Sequence, residues 1–523
     1  MTPAFSLAYL APVVLLIVAA LSLRAEGRRP GSLPLLSEAA AALAMVLTGA
    51  GLVHYLATDA AALSGPLGLR ADLVSLTMAL LVSFIGWIVL RYSRSYLDGE
   101  AREGLFHGLM LATLAAVLVF VQSGNILLLA VATFAVGLGL KQLLLFYPER
   151  PEARRAAAKF ALVWHGGDAA LLLAAVLLVL GFGTGNLQAV HALALEGGLG
   201  MTGHLAVALI VLAAVFKTAS FPLHGWLTEV MEAPTPVSAL LHAGIINSGG
   251  VLLIKAAPLV QESPGAMAAL VMLGGFTALF GAAVMLTQSA VKTALAWSTV
   301  SQMGFLLLQC GLGLWPLALL HIVAHSLYKA HSFLAAGGAV ARIASIGRPG
   351  PVALPSLAAV GRAFGLAIAV YFGVYLLSGV LIGFGSKSPQ AVALGAVLIF
   401  GVAYLMAQGL ADAAPRALTR RTVQMSVITT VAYLALQRLA ERLTADVLPS
   451  APPAGPLEWA LILLTLVSFG AVALAQSTLP LWSYHPAAEG LRVHLANGLY
   501  INAVEDRLLR GWSRKNAKSG AAS

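Results

Sequence analysis

The feature that most constrains this chain is a succession of apolar runs, each about as long as a bilayer core is thick. They fall near 4–23, 34–57, 72–90, 104–122, 125–146, 160–181, 203–232, 234–254, 266–286, 293–312, 316–341, 364–384, 390–411, 422–436 and 457–478. About 20 apolar residues cross the hydrocarbon core as a helix, which satisfies its own backbone where water cannot. The pattern predicts an all-α polytopic membrane protein of about 14–15 transmembrane helices, with 422–436 short for a span. Charged residues are 10% of the chain, against about 25% in soluble domains. The net charge of +10 then fits loops beside anionic lipid better than a nucleic-acid partner. A single cysteine, Cys310, excludes an intrachain disulfide and a multi-cysteine metal site.

Residues 1–478 read as one transmembrane helical domain, with a core at about 104–412, and 479–523 as an amphipathic, basic cytoplasmic tail. The N-terminal run lacks a basic flank and is expected to stay as the first helix. With the N-terminus outside, 23 of the 31 Lys and Arg fall in cytoplasmic loops and the tail. Five fall outside (Arg70, Lys255, Lys387, Arg438, Arg442) and three lie at membrane depth (Lys141, Lys217, Lys329). That bias supports an outside N-terminus and a cytoplasmic C-terminus. Clusters of Pro, Gly and charge mark linkers at 147–159 and 345–355, and 182–202 suits a short helix on the outer surface.

Within this frame some polar residues are too costly to be idle. Lys217 ends an apolar run five residues before Pro222, which breaks the helix, and a second break, Ala233–Pro236, opens the run carrying His242. A central lysine costs about 2.5–3.5 kcal/mol to insert, and broken backbone survives at depth only when buried or lining a wet cavity. His321, His325 and Lys329 follow at i, i+4 and i+8 on one helix face. Such a stripe can relay protons, because histidine titrates near neutrality and a desolvated lysine loses its charge readily. The plainer alternative is two core histidines and a snorkelling lysine. The HxxxH spacing has no third ligand and no HExxH glutamate, so no metal or other cofactor is expected in this chain. Asp168 stands in the sixth run, and Lys292 lies near the start of its helix, where it can snorkel. Glu229 and Glu232 flank the break and either accept protons, pair with Lys217 or simply face the loop.

The runs KTASFPLHGWLTEVMEAPTPVSALLHAG, VKTALAWSTVSQMGF and HIVAHSLYKAHSFLAAGG resemble the antiporter-like, proton-conducting membrane subunits of respiratory complex I and multisubunit cation/proton antiporters. The resemblance covers roughly residues 155–340. It implies two inverted five-helix repeats, a broken helix at Pro222, and an ion path through Lys217, His242, Lys292, His321, His325, Lys329 and Asp168. Two departures stand out. The fifth-helix glutamate that partners the central lysine in better-known members is missing, with Phe134 near its place and Lys141 further on. Lys141 either replaces a charge or snorkels. His165 replaces an arginine often found before the Gly-Asp. Lys387 stands either at a second broken helix or in an outer loop.

Within the family the wording is most similar to membrane subunits of two-part inorganic carbon accumulation systems. That implies a multi-pass protein of the bacterial inner membrane, conducting protons or Na+ to energise CO2 hydration. The partner it implies is a large soluble subunit on the cytoplasmic face, carrying zinc. The alternatives are a pumping subunit of a complex I-type or membrane hydrogenase complex, or of a multisubunit Na+/H+ antiporter. The ending HLANGLYINAVEDRLL, without a long lateral helix, favours the first.

Overall fold

A computed structural model describes residues 5–25, 27–58, 62–338, 345, 356–382, 387–409 and 416–507. Among the described residues each of the fifteen apolar runs is mainly helical, with the run 203–232 interrupted between Lys217 and Gly225. The first seven elements are α1 (Ala11–Ser22), α2 (Leu33–Ala57), α3 (Leu73–Tyr96), α4 (Glu103–Gln122), α5 (Ile126–Leu144), α6 (Pro151–Phe182) and α7 (Leu187–Gly197). The broken region follows as α8 (Gly200–Lys217), α9 (Gly225–Glu229), α10 (Thr235–Ala243), α11 (Ser248–Lys255) and α12 (Ala257–Gln261). Then come α13 (Pro264–Met285), α14 (Val291–Gly311), α15 (Trp315–Leu334), α16 (Leu357–Ile382), α17 (Pro389–Gly409), α18 (Arg416–Leu443) and α19 (Pro456–Ser477). The described residues end with α20 (Leu479–Trp482), α21 (Pro486–Ala496) and a helical stretch at 501–507. A two-stranded antiparallel ladder pairs Leu63–Ser64 with Arg70–Ala71.

Among the described residues ten segments are long and apolar enough to cross a membrane, so the protein is multi-pass. The short run 422–436 belongs to the 28-residue α18, and the surface helix expected in 182–202 is α7. Most of the predicted linker 345–355 and everything beyond 507 lie outside the described residues.

Small residues set the packing, as expected where lipid offers no hydrophobic gain for helix association. A Cβ on Gly304 of α14 would stand 2.4 Å from the Ala278 amide nitrogen of α13, so these two helices meet backbone to backbone. Along the chain, successive spans alternate between an end rich in arginine (Arg28, Arg91, Arg94, Arg150, Arg154) and an end poor in it.

The run 234–254 departs from a single helix. Between α10 and α11 it carries a 3-10 turn at Ile245–Asn247, entered through Gly244 at ψ −75°. Asn247 Nδ2 donates to the Ala243 carbonyl at 3.1 Å, so its side chain supplies what the interrupted helix loses. The span Thr235–Lys255 is the most buried of the ten. Broken backbone at depth is thus enclosed in protein.

Candidate functional site

The first cluster forms where α8 crosses α6. Gly167 brings them close, since a Cβ there would lie 3.0 Å from Phe216 Cβ and 3.6 Å from Lys217 Cγ. Lys217, 0% exposed, donates to Asp168 Oδ1 at 2.6 Å. The other carboxylate oxygen meets His165 Nδ1 at 2.9 Å. The Lys217 ammonium also lies 4.1 Å from the centre of the Trp164 ring, whose indole N–H donates to the Thr133 carbonyl at 3.2 Å. A buried cation is thereby matched by a carboxylate and an aromatic face.

This geometry places the carboxylate facing Lys217 on the sixth helix. Phe134, near the position of the missing glutamate, is 47% exposed and stands 5.2 Å from the His165 ring. Glu229 and Glu232 do not reach Lys217. The break carries them towards the Arg-rich end, where Glu229 pairs with Lys159 at 2.5 Å and Glu232 with Arg150 at 3.3 Å. Lys141 sits half-buried in the last turn of α5.

The second cluster lies between α10, α14 and α15. His321 Nδ1 meets Gln309 Oε1 at 2.8 Å, and the His321 and His325 rings are 5.9 Å apart. Both His325 ring nitrogens are buried and, among the described residues, have no hydrogen-bond partner. Lys329 is fully buried and donates to the Leu295 carbonyl at 3.0 Å, and among the described residues no carboxylate pairs with it. His242 bonds Thr299 Oγ1 through Nδ1 at 3.0 Å and stacks on Phe333 with centroids 4.3 Å apart. Half-buried Lys292 lies one turn before Leu295 on α14.

The interrupted helix runs between the two clusters. Its Gly249 packs on the Ala214 carbonyl of α8 and on Thr218, which caps that helix, and Asn247 Nδ2 donates to Ser326 Oγ of α15 at 3.1 Å. Asn247 Oδ1 and Ser248 Oγ are buried without a protein partner. A void of about 10 Å³ touches Trp164, Thr133 and Ser248, close to the least space that holds one water. No direct hydrogen bond links Lys217 to His242 or to α15 among the described residues. The structure therefore groups Lys217, Asp168 and His165 in one cluster and His242, His321, His325 and Lys329 in a second, with the interrupted helix between them.

Lys387 stands just before α17, and residues 383–386 ahead of it lie outside the described residues. It is half-buried, donating to Gln437 Oε1 at 2.8 Å and Tyr371 OH at 3.3 Å. Gln437 in turn donates to Glu441 Oε1 at 2.8 Å. Lys387, Gln437 and Glu441 border a cavity of about 330 Å³ at the Arg-poor end. Lys255, expected in a loop, instead ends α11 and donates to Ser75 Oγ at 3.2 Å and the Ser123 carbonyl at 3.0 Å.

Sequence reasoning passed over Lys159, placing it in the linker 147–159. It lies inside α6, buried among Glu229, Glu505 and Asp506. Its position nine residues before Asp168 on one helix was the available signal. The tail, expected to be a basic surface segment, meets the break through those two acidic residues.

Comparison with known proteins follows the same lines. Residues 123–348 match the family described as "NADH:quinone oxidoreductase/Mrp antiporter, TM". Residues 58–107 match "NADH-Ubiquinone oxidoreductase (complex I), chain 5 N-terminus". A relative from Halothiobacillus neapolitanus, "Probable inorganic carbon transporter subunit DabB2", is 37% identical over 462 residues, covering 86% of this chain and 81% of that one. "Probable inorganic carbon transporter subunit DabB" of Hydrogenovibrio crunogenus is 46% identical over 269 residues, about half of each chain (51% and 52%). Subunit L of the NADH-quinone oxidoreductase of Mycobacterium tuberculosis is 35% identical over 276 residues, covering 52% and 43%. A solved structure of the Mrp complex from Dietzia sp. superposes with TM-score 0.66 at 23% identity, over 98% of this chain and 60% of that one.

Proposed function

We propose that this chain, which belongs to the antiporter-like membrane subunits of the complex I and Mrp type and among them groups with the DabB inorganic carbon transporter subunits, conducts protons or Na+ to drive inorganic carbon accumulation. The observation that carries the reading is the Lys217–Asp168 pair at 2.6 Å, held at a helix break inside the bundle. Protons would enter or leave this pair through the break and pass by Asn247 and Ser248 to the stripe His325, Lys329 and His321. His242 and Lys292 flank that stripe.

The chemistry that uses this current is assigned to a partner, a large soluble DabA-like subunit bearing zinc on the cytoplasmic face. Among the described residues no three His, Cys, Asp or Glu side chains group to hold a metal. One charge crossing about 100 mV releases about 2.3 kcal/mol, enough to bias a reversible hydration towards bicarbonate. In this reading the protein sits in a bacterial inner membrane with its Arg-rich end cytoplasmic.

Mild-detergent capture of the tagged chain from its host, with mass spectrometry and zinc analysis, tests the assignment. A single large zinc-bearing soluble subunit at fixed ratio supports it. Several membrane subunits arriving with flavin or iron–sulfur proteins would move the chain to a redox-driven pump. In a host lacking carbonic anhydrase, K217A and H325A should each lose growth in air at unchanged protein level. Growth retained by both would sink the path.

A further inference from the structure

The last described stretch of the chain closes over the break. Asn502 Nδ2 donates to Thr228 Oγ1 at 3.1 Å, and Gln288 Nε2 donates to the Ala496 carbonyl at 3.3 Å. Gly498, at φ +55°, lies flat under Trp297, where a Cβ would come within 3.1 Å of the indole. That same indole stands 4.9 Å from the buried ring of His224 in the break. Gly225 meets the stretch so closely that a Cβ would lie 2.2 Å from Glu505 Oε2 and 2.3 Å from Asn502 Oδ1.

The latch of this closure is ionic. Lys159, 1% exposed, reaches Glu229 of the break at 2.5 Å, Asp506 at 3.0 Å and Glu505 at 3.4 Å. It thus ties two carboxylates of the C-terminal stretch to one of the break. Lys159 precedes Asp168 by nine residues of α6, about 13.5 Å of helix rise towards the Arg-rich end. The closure therefore stands between that surface and the Lys217–Asp168 pair.

We infer that residues 497–507 form a strap that holds the mouth of the ion path shut, with Lys159, Glu505 and Asp506 as its latch. The inference rests on the path through Lys217 proposed above and adds its regulation. A subunit of this kind that ran open by itself would dissipate the gradient it is there to use. Opening requires the strap to lift from Thr228 and Trp297, freeing Glu229 and His224 to face water. Neither element changes its covalent structure.

The test uses the purified full chain in vesicles holding a pH-sensitive dye, with proton entry driven by a potassium diffusion potential. E505Q/D506N neutralises the latch and should raise proton entry about tenfold as the open population grows. Adding K217M should return the rate to background, which an unspecific leak through damaged protein would not do. G225C/N502C in the E505Q/D506N background supplies a reversible lock, since the chain's own Cys310 is buried. Oxidation should close the path and a reductant reopen it. Unchanged entry in E505Q/D506N, beside a K217M that lowers the wild-type rate, overturns the strap and leaves the path standing. A raised entry that survives K217M overturns both. An oxidised protein that still conducts at the raised rate also overturns the strap.

Discussion

The two clusters solve the problem of a buried lysine in opposite ways. Lys217 is held by a carboxylate at 2.6 Å, whereas Lys329 donates to a backbone carbonyl at 3.0 Å and faces histidines. Releasing a proton from Lys217 leaves the carboxylate of Asp168 uncompensated unless that proton stays nearby. Lys329 can keep its hydrogen bond in either state, because a neutral amine still donates. One cluster is built to hold a charge and the other to exchange one. Sequence identity at the level of "buried lysine" hides this difference.

The largest effect expected from breaking the contrast is at Lys217. K217M strands a buried carboxylate, which typically costs about 3–5 kcal/mol, and should abolish transport. K217M/D168N removes both charges and should recover most of the stability but none of the transport. Thermal unfolding in detergent, beside growth of a carbonic-anhydrase-deficient host in air, separates the two. A K217M protein as stable as the wild type would mean that the pair carries no net charge to strand.

Lys329 should behave the other way round. K329M gives up one hydrogen bond to a carbonyl, worth about 1 kcal/mol, so its melting should shift little while transport fails. K329R is the sharper variant. Arginine keeps the charge and the donors but does not release a proton in proteins, so it should fold and not conduct. Proton entry into vesicles at the wild-type rate by K329R would show that Lys329 need not change state.

What was legible beforehand follows the same division between local and tertiary causes. The fifteen apolar runs and the break at Pro222 are local facts of composition and of a residue without an amide hydrogen, and each appears in the fold as far as the described residues reach. Asp168 was visible as a carboxylate at depth, but its place at Lys217 was not. That place depends on Gly167 letting α8 lie against α6. Pairing with Lys217 was one of the readings open to Glu229 and Glu232 because they are near it in sequence, but a chain that leaves helical form no longer converts sequence distance into space. The interruption at Gly244 was missed because a lone glycine in an apolar run is common, and Asn247 as its supporting side chain is legible only afterwards. Lys159 was hidden by arithmetic of another kind. A lysine near a helix start counts as a loop charge until residues 505 and 506, far along the chain, are folded onto it.

Lys387 offers the smallest effect and places a third lysine between the first two. Among the described residues no carboxylate touches it directly; Glu441 acts through Gln437, and the rings of Tyr371, Tyr375 and Tyr433 stand 5.4–5.7 Å from its ammonium. Burial lowers it from the ordinary 10.5 to about 8, with Glu441 opposing the shift. The folded state therefore disfavours the ammonium, and this cost is fully present below about pH 8. Between about 8 and 10.5 the unfolded chain holds the proton that the folded chain releases, so stability rises with pH and the cost disappears. K387M removes the titrating group, so whatever advantage it shows at pH 7 should shrink as pH climbs from 8 to 10. Melting curves of both proteins across that range check it. Parallel curves would mean that the tyrosines and Gln437 hold the ammonium as well as water does, and Lys387 would then belong with Lys217, among the lysines held in the charged form.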